Sequence, residues 1–252
     1  MRAMMNTPSV STLLDAWERG TQHSQIMRAL LLLAAACPGE SLQALAQHSI
    51  GERDARLLNL REALFGSTLM SLAQCPRCKA SLELAFETAN VRTQSEQMAD
   101  VLVIDSDAFS VRCRLPNSND LLALTTSIAR GGSMRDSRRA LLARCVIAAR
   151  CGDEPTEVNA LPERVVSAIA QRMAEADPQA DVQLALNCPS CGHGWNASFD
   201  IAAYVWAEID AWARRMLREV HALASAYGWR EADILRLSPS RRRAYLDLIG
   251  AR

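Results

Sequence analysis

The sequence predicts an α+β chain, mostly α-helical, with a small antiparallel β element. Three observations lead there. Long stretches at both ends repeat their apolar residues with the period of a helix. Two short pairs, Cys75-Pro76-Arg77-Cys78 and Cys188-Pro189-Ser190-Cys191, each lead into residues that alternate like a strand. Between the pairs the period switches from helix to strand and back.

Residues 9–73 read as helical throughout. Ser11 or Thr12 is placed to cap a first helix carrying Leu13, Leu14 and Trp17 and ending at Gly20. A second helix, from about Ser24 to Ala36, stops at Pro38-Gly39, and Ser41 to Gln47 forms a short third. Ser49 and Glu52 have capping-box spacing, in which the Ser oxygen and the Glu carboxylate each satisfy a free backbone N–H. The helix behind them runs to about Phe65, with Leu57, Leu60 and Leu64 on its apolar face. Arg53, Asp54, Arg56, Arg61 and Glu62 read as its solvated face.

After the first pair, Leu82 to Phe86 reads as a strand. Val101 to Ile104 and Phe109 to Leu115 form a hairpin across Asp105-Ser106-Asp107. Helices follow at about Ser118 to Ala129 and Ser137 to Ala149, separated by Gly131-Gly132. Cys151 to Asn159 is loop, and Pro162 opens a helix that ends near Asp177-Pro178. Val182 to Leu186 and Trp195 to Phe199 pair across the second Cys-Pro-x-Cys. Ala203 to Ala226 is one long amphipathic helix, broken at Tyr227-Gly228-Trp229. A short helix around Glu231 to Leu235 follows, and Ser238-Pro239 starts the last one. These elements group into three regions: a helical 1–73, a cysteine-bearing 74–200 with an inserted hairpin and helices, and a helical 201–252.

Each Cys-x-x-Cys knuckle can offer two thiolates on one turn to a single metal, at about 2.3 Å each. Two matching knuckles therefore predict a four-cysteine zinc ribbon, with Cys75, Cys78, Cys188 and Cys191 holding a structural Zn2+. A redox dithiol wants a single motif at the start of a helix in a βαβ unit, and both pairs sit beside strands instead. A catalytic zinc keeps an open position, which four thiolates close. His193, inside the second knuckle, is left as a possible replacement for one Cys ligand. Cys37, Cys113, Cys145 and Cys151 read as buried thiols, as expected of a chain made in the cytoplasm.

The chain has 252 residues, with 28 basic against 28 acidic side chains. A protein whose main task is gripping phosphates carries a basic excess, so the balance argues against a general nucleic-acid binder. The most apolar run, Ala29 to Ala36, is far shorter than the roughly 20 residues of a membrane span. No phosphate-cradling glycine loop, dinucleotide fingerprint, His-Glu-x-x-His or nucleophile elbow is present, and His23, His48, His193 and His221 are scattered. The residues name no catalyst, so the reading is of a non-enzyme acting through protein surfaces.

Three tryptophans and three arginines are the candidate partner-binding residues. Trp206 and Trp212 lie six apart on the long helix, on different faces, so that one can be core while the other is a contact. Trp229 follows the helix break. Arg241, Arg242 and Arg243 open the last helix, where cations oppose the macrodipole. The segment from Tyr227 on carries more arginine than acid, which suits an acidic partner.

The order of short strings also resembles a family. Ile50-Gly51-Glu52-Arg53-Asp54 leads through Leu64-Phe65-Gly66 to the first knuckle. Arg114-Leu115-Pro116-Asn117-Ser118-Asn119-Asp120 precedes the second, and Tyr227-Gly228-Trp229 and Leu237-Ser238-Pro239 close the chain. This is similar to the baseplate hub and hub-assembly proteins of T-even-type phages and of contractile phage-like injection systems. The resemblance implies a structural or assembly protein of a contractile tail baseplate, with other baseplate or tail proteins as partners and a place in a phage-like particle. The competing reading from the residues is a zinc-ribbon nucleic-acid-binding regulator, with Arg241 to Arg243 on phosphate.

Overall fold

The computed structural model describes residues 5–93, 101–128 and 134–250. Its elements begin with α1 (Val10–Gly20), α2 (Gln25–Ala36), the short α3 (Leu42–Leu45) and α4 (Ile50–Phe65). A first hairpin, β1 (Thr68–Gln74) and β2 (Ser81–Glu87), runs into the one-turn α5 (Thr88–Val91). Then come β3 (Leu102–Ser106), β4 (Phe109–Cys113), α6 (Ser118–Ile128), α7 (Met134–Cys145), β5 (Val146–Cys151), β6 (Glu154–Pro155) and α8 (Glu163–Ala176). A second hairpin, β7 (Gln183–Asn187) and β8 (Gly194–Ser198), precedes α9 (Ile201–Tyr227), α10 (Glu231–Arg236) and α11 (Pro239–Leu248). The chain is thus mostly helical with small antiparallel sheets, the α+β class expected.

Two compact units result, one of Met1–Ser41 with Ala202–Arg252, the other of Leu42–Ile201. This regroups the three regions read from sequence, because the long C-terminal helix shares its core with the first two helices. In that unit Leu14 packs with Ala213 and Met216, and Val10, Trp17 and Trp212 border them. Gly20 ends α1 where the Trp206 ring arrives, and a Cβ there would lie 2.5 Å from the indole. Ser9, just before the expected Ser11 or Thr12, is the residue that caps α1, its oxygen accepting from the Thr12 N–H at 3.1 Å. Ser24 caps α2, and Ser238 caps α11 through the Arg241 N–H as expected.

The second unit centres on a four-stranded antiparallel sheet, β3-β4-β5-β6. Leu102, Ile104, Val111 and Cys113 bury one of its faces against Val165, Val166 and Ile169 of α8. Three expectations need correction. Residues 68–74 form β1 rather than the end of a helical stretch. The helix expected to reach Ala149 stops at Cys145, and Val146–Cys151 is a strand. The expected loop after it contains the short β6. In the first two cases an apolar run too short for its period to decide was claimed by a neighbouring strand, and in the third Glu154 and Pro155 pair with the end of β5. The expected Gly131-Gly132 break lies outside the described residues.

Helix α4 also departs from its expected amphipathic pattern. Arg53, Asp54 and Arg61, read as solvated, are all buried. Arg53 donates to Asp54 at 2.8 Å, while Arg61 donates at 2.6 Å to the carbonyls of Gly66 and Thr68 and so ties the helix end to β1. The capping box is half formed: Ser49 accepts from the Glu52 N–H at 3.1 Å, but the Glu52 carboxylate turns to His48 and Arg56.

Candidate metal centre

Each knuckle joins the two strands of one hairpin. Gln74 pairs with Ser81 below the first, and Asn187 with Gly194 below the second. The Cys75 N–H donates to the Ala80 carbonyl and the Lys79 N–H to the Cys75 carbonyl, both at 2.9 Å. The second knuckle repeats the pair, from Cys188 to His193 and from Gly192 to Cys188, again at 2.9 Å. In both, the residue after the second cysteine is left-handed: Lys79 at φ 62° and Gly192 at φ 68°. That conformation folds the turn back so that both sulfurs of a knuckle point the same way.

The equivalence continues down the strands. Leu69 faces Phe86 in the first hairpin, and Val182 accepts from the Phe199 N–H in the second. Phe86 and Phe199 meet edge to face, with centroids 5.4 Å apart at 82°. The hairpins are thus related by a pseudo-two-fold that exchanges Cys75 with Cys188 and Cys78 with Cys191. The sulfur contacts obey it: Cys75 Sγ lies 3.8 Å from Cys191 Sγ, and Cys78 Sγ lies 3.6 Å from Cys188 Sγ.

All four sulfurs lie within 4.8 Å of one another. Sulfurs bonded at about 2.3 Å around a tetrahedral ion stand about 3.8 Å apart, so donor type and spacing both fit a four-thiolate metal site. The separations are far too long for a disulfide, whose sulfurs lie about 2.05 Å apart. Among the described residues this is the group of potential ligands that converges on one point, and His193 stands outside it. Its ring stacks on Trp195, with centroids 6.1 Å apart. Leu82, Leu84 and Trp195 back the cysteines with an apolar floor.

The thiols differ in acidity. Burial pushes Cys188 up, yet the backbone N–H groups of Ser190 and Cys191 outweigh it and hold the thiol at about 6. Cys75 is lowered in the same way: burial opposes ionisation, and the N–H groups of Cys78 and Arg77 overcome it. Cys191 is pushed up to about 12, because burial and the neighbouring thiols prevail over a hydrogen bond from the His193 backbone. Thiolates this close repel one another, so ionising all four requires a cation among them.

The other sequence candidates are spread over α9 and the tail that follows it. Trp206 is buried beside Gly20, with the Arg28 guanidinium 4.7 Å above its ring, so its indole faces its own unit. Trp212 is half-buried beside Leu14, Ala213 and Met216. Trp229 stacks on Tyr227 at 4.7 Å. Arg242 is buried and donates to Glu219 at 2.7 Å, whereas Arg241 and Arg243 are exposed.

Two polar knots went unread in the sequence. Asp120, fully buried, accepts from Arg114 at 2.6 and 2.9 Å, from Arg144 at 3.0 Å and from the Asn117 N–H at 3.0 Å. Asn117 reciprocates by accepting from the Asp120 N–H, and Pro116 accepts from the Ile50 N–H at 3.2 Å. This network locks β4, α6, α7 and the start of α4 together. Asp177 caps α4 from outside by accepting from the Gly51 N–H at 2.9 Å, and a Cβ at Gly51 would overlap its carboxylate. The signal was present in the Arg114 to Asp120 string, but the partners Arg144 and Gly51 are remote from the groups they bind.

The family model of the T4 bacteriophage base plate protein matches residues 9–202, a span that includes both knuckles and both polar knots. No curated protein and no solved structure gives a significant match. No helix among the described residues is long and apolar enough to cross a membrane.

Proposed function

The chain belongs to the T4 bacteriophage base plate protein family, and from that premise we propose that it is a non-enzymatic structural or assembly protein of a contractile phage-like tail, folded around a structural zinc. It is made in the cytoplasm and acts by protein–protein contacts with other baseplate and tail proteins, which carry it into the particle.

The observation that carries the zinc reading is the pseudo-two-fold pairing of the knuckles, which brings four sulfurs to tetrahedral spacing. A d10 ion with no geometric preference of its own suits such a thiolate set, and four protein ligands leave no position for substrate. Bound there, the ion supplies charge neutralisation and a cross-link rather than chemistry. Cys75 and Cys78 hold it from one hairpin, Cys188 and Cys191 from the other. Binding energy of roughly 10–16 kcal/mol, as seen in small zinc peptides, would go largely into fixing the hairpins against each other.

Partner contact is assigned to the tail, where Arg241 shares a cavity with Trp229 and Arg243 is exposed on the same helix. Charges of this kind set encounter rate and register more than affinity. Two measurements test the whole reading. Elemental analysis of protein purified without chelator should give one zinc per chain, and no zinc overturns the metal assignment. Co-expression with the neighbouring tail proteins should place the chain in a baseplate complex; a chain left free throughout overturns the baseplate role.

A further inference from the structure

The aromatic cluster after α9 leaves a cavity of about 360 Å³ lined by Trp229, Asp233, Leu237, Arg241 and Tyr245. Its walls are fixed. Trp229 and Tyr245 meet edge to face at 4.8 Å and 88°, Tyr227 stacks on Trp229 at 4.7 Å, and Tyr227 meets Tyr245 edge to face at 5.7 Å. Behind them Val220, Leu223, Ile234 and Leu246 form a buried core.

Three donors at this cavity have no acceptor among the described residues: the Trp229 indole N–H, the Tyr245 hydroxyl and the Arg241 guanidinium. Neighbouring arginines are occupied, Arg242 by Glu219, Arg243 by Asp247 and Arg236 by Asp233. The last pair also partly neutralises the one carboxylate in the cavity wall.

We propose that this pocket captures an extended, acidic, proline-bearing segment of a partner protein. A polyproline II segment makes no internal hydrogen bonds, so its carbonyls need donors, which the indole N–H and the phenol supply. A proline ring is compact and apolar and brings no N–H, so it fits against a Trp–Tyr pair whose indole N–H can only donate and whose phenol O–H can donate. The free guanidinium of Arg241 calls for a carboxylate on the same segment. The volume admits one or two residues, which suits a chain passing through rather than a folded domain. This deepens the partner-contact role given to the tail, and rests on it only for the partner being a baseplate protein.

The test is a calorimetric titration of the zinc-loaded, full-length protein with a capped synthetic peptide of alternating proline and glutamate. Two controls replace proline by alanine or glutamate by lysine. The proline–glutamate peptide should bind, and each control should bind about tenfold or more weakly. Arg241→Glu, on an exposed side chain, and Tyr245→Phe, which removes only the hydroxyl, should each weaken it by a similar factor. No binding of the proline–glutamate peptide, equal binding of the alanine–glutamate peptide, or indifference to both substitutions overturns the proposal. If the peptide fails while the chain still joins a baseplate complex, only the pocket reading falls. If the peptide binds and the chain joins no complex, the baseplate role falls instead.

Discussion

The two hairpins have the same backbone and almost no side chains in common. Between Leu69–Phe86 and Val182–Phe199 they share the two cysteines, the proline after the first of them, and the terminal phenylalanine. Yet the strand register, the turn hydrogen bonds and the left-handed fifth residue recur in both. Where one has Gly192, the other holds Lys79 in the same conformation, and where one has Trp195 in the apolar floor, the other has Leu82. The difference shows what a knuckle requires: two sulfurs, a proline that stiffens the turn, and tolerance of positive φ. The rest of each hairpin answers to its own surroundings. Met70 and Leu72, at 61 % and 71 % exposure, stand on β1 where β7 has Gln183 and Ala185.

The largest expected effect tests the equivalence itself. Cys75→Ser and Cys188→Ser exchange under the pseudo-two-fold, so each should abolish stoichiometric zinc and destabilise the unit by several kcal/mol out of the roughly 10–16 such sites can supply. Cys37→Ser should retain the metal. Elemental analysis with thermal melts reads both, and a variant at one knuckle that keeps its zinc breaks the comparison.

Asp120→Asn lies outside both hairpins. It leaves Arg114 and Arg144, themselves part-exposed, without their shared carboxylate and should cost about 1–3 kcal/mol while the purified protein still carries its zinc. Loss of zinc in this variant would mean that the hairpins depend on the polar network for their pairing.

A smaller effect sharpens the contrast at the fifth knuckle residue. Gly192→Ala forces a side chain into the left-handed region and should destabilise by about 1–2 kcal/mol. Lys79→Gly should run the other way, with a gain of up to about 1 kcal/mol after the entropy cost of glycine. Chemical denaturation of the zinc-loaded proteins measures both, and equal signs would show that the two turns are not equivalent.

The smallest change gives the first hairpin its twin's side chain. Leu72→Ala, at an exposed position, should shift stability by no more than about 0.5 kcal/mol. A large drop in melting temperature would mean that β1 packs against something its exposure does not reveal.

The four cysteines that converge were legible from sequence because cysteine spacing is a local signal. Two Cys-Pro-x-Cys strings need no knowledge of the fold to be paired, and the strands after them alternated clearly. The first strand of the first hairpin was not legible: Thr68 to Gln74 follows a long helix without proline or a charged break, and its apolar residues fit either period. The buried charges of α4 were invisible for another reason. Arg53 and Asp54 satisfy each other and Arg61 binds backbone carbonyls, and only tertiary partners reveal that an ion can be dry. Gly51 was seen as part of a string, while its reason, the incoming carboxylate of Asp177, lies far along the chain. The tail aromatics were legible as candidates, but which tryptophan turned inward depended on the close approach that Gly20 permits.

Interchangeable halves have a consequence for how such a chain closes. On the zinc reading proposed above, either knuckle can capture the ion first, and the coordination positions still open accept any second knuckle of the same shape. That includes one borrowed from another copy, so correct closure competes with chains stitched together through shared ions. What favours the internal partner is effective concentration, which the tether between the knuckles supplies and which falls as a tether lengthens. Crowded synthesis with scarce zinc erodes that advantage, and the same twin turns that complete one molecule then become the glue between several.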